Sequence, residues 1–262
     1  MVKGPPSIIQ TMTPLYGLLW FAVMLAPLIL LQRLLHREIQ AVLLILTRDA
    51  NITMGVFSII FLPGVFLHEL SHFVMAKILR VPTGGFSIFP RSLPDGRLQL
   101  GYVETARSDI VRDSLIGAAP LIAGTVFVAF VAIKQFDMRL LWDVLRNGQF
   151  NLFWMGLRAL PNVGDFYLWF YLIFAVSSTM MPSESDRHAW LDLLVSVGIL
   201  IVIILLFGAG PWMLSNLGPY VSNFFGFVAA IFGLSNFVHI LLILPAALVH
   251  KLLARLTGVD VQ

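Results

Sequence analysis

Long apolar runs separated by short polar stretches dominate this chain. A bilayer's hydrocarbon core takes about 20 apolar residues in a helix. Six stretches approach that length: Leu15 to Leu35, Ile52 to Leu79, Ser114 to Ile133, Phe166 to Met181, Trp190 to Phe207 and Phe225 to Val249. The pattern predicts an α-helical polytopic membrane protein with about six transmembrane helices. A shorter apolar piece, Ile39 to Leu46, lies between Arg37 and Arg48. It is too short to span alone and reads as an interfacial segment. The first run is long for a signal-peptide core and reads as a retained helix.

Two connections break this pattern. In the first, Gly85 to Phe89 and Arg97 to Val103 partly alternate apolar and polar residues around Pro94-Asp95-Gly96. Alternation around a turn signal predicts a membrane-associated β-hairpin. The second, Lys134 to Asp165, carries Trp142, Phe150, Phe153 and Trp154 among scattered charges. It reads as an amphipathic segment at headgroup depth. Asn162 and Asp165 are expected to cap the following helix. The organisation expected is an N-terminal helix and interfacial segment (1–50), a core (51–190) and C-terminal helices (191–262).

Composition sharpens this picture. Apolar residues make up 58% of the chain and charged ones 12%, against roughly 25% charged in soluble domains. One soluble core cannot hide that much apolar surface, so the lipid bilayer is an expected partner. The pI of 9.4 reflects few ionisable groups rather than a basic patch, and no nucleic-acid partner is implied. Cysteine is absent, which excludes disulfides, thiolate ligands and cysteine nucleophiles. With both termini inside, ten of the 17 Lys and Arg residues fall on the inner side. This weak bias favours placing the end of the second span in the cytoplasm.

The second span contains His68-Glu69-Leu70-Ser71-His72. Residues four apart share one helix face, so both imidazoles can reach one ion. Glu69 can then face a metal-bound water without ligating the metal, and take its proton. A chance match to this pattern is expected roughly 0.002 times in such a chain. Ionisable groups within a span each cost about 2.5–3.5 kcal/mol on insertion scales, and a shared metal gives three of them a reason to be there. A polar face lining a metal-free, water-filled cavity is the plainer reading. A catalytic zinc needs a third protein ligand. The segment after the fourth span, interrupted by Pro182, offers Glu184, Asp186 and His188. His239, alone in the last span, reads as a hydrogen-bonding group to a neighbouring helix. Asn51-Ile52-Thr53 fits a glycosylation pattern too short to weigh.

With these residues in view, the chain resembles the site-2 protease family of membrane-embedded zinc metalloproteases. His68 to His72 in an apolar helix matches the family's first motif. Pro182 followed by Asp186 is similar to its second, N-x-x-P-x-x-x-x-D-G, with one residue fewer, Ser178 or Thr179 in place of Asn, and Arg187 in place of Gly. Gly117-Ala118-Ala119-Pro120 is similar to a Gly-Pro element of the family's next helix. The likeness covers about Pro63 to Trp190. It implies Zn²⁺ held by His68, His72 and Asp186, with Glu69 catalytic. It also implies a membrane protein or peptide as substrate and a site toward the cytoplasmic side of a cell (inner) membrane. An unwound substrate segment could add as a strand along Leu98, Gln99, Leu100, Gly101 and Tyr102, or the hairpin could simply plug the cavity. A transporter or channel using the same cluster as an ion path, or a catalytically silent zinc scaffold, are the competing readings.

Overall fold

Each long helix starts or stops where the sequence supplies a reason. In the computed structural model, which describes residues 16–92 and 98–259, α1 covers Tyr16–Thr47 and α2 Ala50–Ile78. The break between them is set by Asp49, whose side chain accepts from the backbone N–H groups of Asn51 (2.7 Å) and Ile52 (3.0 Å). This caps two amides that have no helical partner. Asp109 does the same for α3, Ile110–Lys134, accepting from Val111 and Arg112.

Between α2 and α3 lie four short strands, β1 (Thr83–Ser87), β2 (Arg91–Ser92), β3 (Leu98–Gln99) and β4 (Tyr102–Thr105). β1 pairs antiparallel with β4, matching Phe86 with Val103 and Ser87 with Tyr102. β2 pairs with β3, matching Arg91 with Gln99. The two ladders form one interrupted hairpin. Its pairing starts at Thr83 and ends at Thr105, wider than the alternation suggested, while Ile88 and Phe89 fall between the ladders. The Pro94-Asp95-Gly96 turn lies outside the described residues, as do the side chains of Leu98 and Gln99.

The chain continues through α4 (Met138–Arg146), α5 (Phe150–Ala159), α6 (Phe166–Thr179), α7 (Trp190–Leu206), α8 (Gly210–Asn216) and α9 (Gly218–Thr257). Among the described residues, four helices, α1, α2, α3 and α9, are long and apolar enough to cross a membrane. The count reaches six if each of two bent pairs is one span: residues 150–162 with α6, bent by 97°, and α7 with α8, bent by 111°.

Two expectations need correction. Ile39 to Leu46 is no separate interfacial piece but the last turns of α1. No Gly or Pro lies between Pro27 and Thr47 to end the helix, and it continues along α9, its main packing partner. Asp165 occupies the N-cap position of α6, but in a left-handed conformation (φ 57°) and without a side-chain capping bond. Asn162 ends a short 3-10 turn instead.

The core sits where α2, α3 and α6 meet. Phe57, Phe61 and Val65 of α2 pack with Val128 and Val131 of α3 and Ile173 and Phe174 of α6. α2 and α6 approach so closely that a Cβ on Gly64 would overlap the Ala175 carbonyl. Small residues permit this backbone contact between membrane helices. α7, by contrast, buries none of its residues.

Candidate metal centre

The helical spacing read from the sequence places His68 and His72 on one face of α2, and their Nε2 atoms lie 3.2 Å apart. The opposite nitrogens are spoken for. Nδ1 of His68 is 2.6 Å from the Thr179 carbonyl oxygen, and Nδ1 of His72 is 2.8 Å from that of Ile116. A carbonyl oxygen only accepts, so each Nδ1 carries a proton and donates it. That leaves both Nε2 atoms facing one another. Two neutral rings would oppose lone pairs, and two protonated rings would oppose N–H groups. A shared cation resolves the first case, because the two Nε2 lone pairs of neutral rings can both ligate it.

Asp186 closes the site from the segment between α6 and α7. Its Oδ1 is 3.4 Å from His72 Nε2 and its Oδ2 is 3.7 Å from His68 Nε2. Oδ2 also accepts from the backbone N–H (2.7 Å) and the hydroxyl (2.6 Å) of Ser183. Burial pushes the Asp186 carboxyl up. The two imidazoles facing it and the Ser183 bonds outweigh this, holding it well below the usual carboxylate range. The segment is pressed onto α3 at Gly117, where a Cβ would fall on the Asp186 carbonyl.

His68, His72 and Asp186 are, among the described residues, a group able to hold a metal ion, with donor atoms all within 4.8 Å of one another. Tetrahedral bonds of ~2.0–2.1 Å put donor atoms about 3.3 Å apart, close to the separations found. Glu69 is buried, 7% exposed, and stands against Gly101, where an added Cβ would press on its side chain. The four residues line a cavity of 340 Å³.

The other sequence candidates stand outside the metal group, although His188 also lines the cavity. His188 bonds through Nδ1 to the Ser185 carbonyl (2.7 Å) and approaches Asp113 through Nε2 (3.4 Å). Glu184 is exposed and outside the metal group. His239 bonds to Ser178 of α6 (3.0 Å) and to the Ser235 carbonyl (2.7 Å), as a helix-linking role requires. Of the hairpin residues, Leu100, Gly101 and Tyr102 line the cavity. Sequence reasoning missed the carbonyls of Thr179 and Ile116, which carry no sequence signal. It also missed Ser183, which the Ser-x-x-Asp spacing could have flagged as a partner of Asp186.

No family model matches the chain, and neither the curated proteins nor the solved structures show a match.

Proposed function

We propose that the protein is a zinc-dependent intramembrane endopeptidase of the site-2 protease type, hydrolysing peptide bonds of membrane-embedded substrates. The observation that carries this reading is the convergence of His68, His72 and Asp186 beside Glu69. Two imidazoles and a carboxylate, with no thiolate, form a donor set used for catalytic zinc, which keeps one position open. Zinc bound there would supply Lewis acidity toward a peptide carbonyl and make water nucleophilic near neutral pH.

The remaining work falls to the chain. Thr179 and Ile116 hold the two rings in the tautomer that presents Nε2. Ser183 orients the Asp186 carboxylate. Glu69, not part of the metal group, is free to act as base: its carboxylate takes the proton of the attacking water and passes it to the leaving nitrogen. Leu100 to Tyr102 bring the hairpin to the cavity wall. An unwound substrate segment could lie along them by strand addition. A site toward the cytoplasmic face of a cell (inner) membrane fits the weak basic bias counted with both termini inside.

The test is a matched pair of measurements on purified protein. Glu69→Gln should abolish cleavage of a transmembrane peptide while the chain keeps about one zinc, read by elemental analysis. Full activity in that variant would end the mechanism. A metal-free wild type that moves ions across vesicles would favour the ion-path reading, and a zinc-loaded chain without turnover the scaffold.

A further inference from the structure

The four groups assigned to the chemistry are not held alike. His68 and His72 are each fixed through Nδ1 by a carbonyl oxygen, and Asp186 by two bonds from Ser183. Glu69 has no orienting hydrogen bond among the described residues. A carboxylate on a flexible stem, bonded to nothing, samples several rotamers. A base must instead stay within reach of the proton it takes. Its direction therefore depends on what its side chain packs against.

The hairpin supplies that contact. Gly101 is buried and lies directly before β4, in the break between the two ladders. A Cβ built on it would stand 2.8 Å from Glu69 Cγ, 3.1 Å from Glu69 Oε1 and 3.0 Å from the Ser87 carbonyl oxygen of β1. Ordinary contact between such atoms is about 3.5–4.0 Å. Gly101 is thus wedged between the Glu69 side chain and the strand behind it. Ser87 is held in the ladder opposite Tyr102, so the β1 side yields only by disturbing the sheet. Bulk added at Gly101 takes its room from Glu69. Gly85, in β1, gives the contrast: a Cβ there would meet the Tyr102 ring at 3.3 Å and the Glu104 carboxyl at 3.4 Å, and not Glu69.

We infer that Gly101 is a positioning residue for Glu69: lacking a Cβ, it lets the hairpin backbone come close enough to confine the side chain of the general base in the cavity. The inference rests on the proteolytic reading and deepens it. It gives the hairpin a part in catalysis that is separate from strand addition. Confinement acts on the protein's own carboxylate, whereas strand addition acts on the bound peptide.

Gly101→Ala, made in the purified full chain, adds the one carbon that this contact excludes. In zinc-dependent cleavage of a transmembrane peptide, kcat should fall at least about tenfold, toward the ~100-fold that a misplacement of about 1 Å can cost. KM should stay within about twofold, because the lost interaction belongs to the reacting groups and not to substrate binding. Zinc content should match the wild type. In a Glu69→Gln background, which binds without turnover, affinity for the same peptide should not change on adding Gly101→Ala. Gly85→Ala controls for the seating of the hairpin: its kcat should stay within about twofold of the wild type, and Tm should fall no further in Gly101→Ala than in this control. An unchanged kcat in Gly101→Ala would overturn the inference. A loss that appears in KM or in peptide affinity would do so too, by making Gly101 a substrate contact. So would a loss that comes with lowered Tm or zinc, or that Gly85→Ala reproduces, since that is a packing role. Absence of zinc-dependent cleavage by the wild type would overturn the proteolytic reading and this inference together, and is distinguishable because no Gly101 variant is needed to see it.

Discussion

Helix α2 and the segment between α6 and α7 supply donor groups to the same centre by different physical means. In α2 the spacing of four residues alone stacks His68 over His72, and the surrounding bundle needs only to lock the ring nitrogens with two carbonyls. Asp186 sits in no regular element. Its place depends on Ser183, on the close approach at Gly117 and on where α6 ends. A helix sets side-chain geometry through its own backbone hydrogen bonds, whereas an irregular segment borrows its geometry from whatever it touches. The α2 half of the site should therefore fail only when a ligand is removed, and the Asp186 half whenever its supports are.

The largest effect should come from the α2 half. His72→Ala removes one of the two imidazole donors, and zinc retained after purification should drop to background. Asp186→Ala should weaken zinc by more than the ~10–100-fold typical of outer supporting groups, since in the proposed site the carboxylate itself is a ligand. It would still leave two imidazoles with measurable affinity. If Asp186→Ala retained zinc as the wild type does, His188 or Glu184 would have taken its place and the comparison would break.

Ser183→Ala probes the support alone. It removes one of the two Ser183 bonds to Oδ2 while the backbone N–H bond remains. Zinc affinity, measured by competition with a chelator, should fall about 10–100-fold. The smallest effect belongs to Thr179→Val. The Thr179 hydroxyl turns back onto the Ala175 and Val176 carbonyls of its own helix, while its own carbonyl accepts from His68. Zinc affinity should be unchanged, and stability should move by no more than about 1 kcal/mol. A large loss of zinc would mean that the hydroxyl, not the carbonyl, orients the ring.

The parts legible in sequence share one property: local periodicity encodes them. The long helices follow from runs of apolar residues, the His68–His72 pair from the 3.6-residue turn, and the hairpin from alternation around a turn signal. The misreadings fall where that code is ambiguous. Arg37 and Arg48 suggested a boundary before Ile39, but charge does not end a helix that has neither Gly nor Pro. Asp165 has a good capping side chain, yet its backbone turned into the left-handed region. Phe166 to Met181 is only part of a candidate span: α6 stops at Thr179 after 14 residues and reaches spanning length only with residues 150–162, across a 97° bend.

Sequence by itself thus determined a chain of long apolar helices with two imidazoles on one face of α2 and a carboxylate next to the first, because main-chain geometry converts spacing directly into direction. Only the tertiary structure selected Asp186 over Glu184 and His188, assigned the ring tautomers and brought Gly101 against Glu69. Those outcomes depend on the approach of elements separated by more than a hundred residues in the case of Asp186 and α2. Such approaches are set by packing between helices, which no local pattern records.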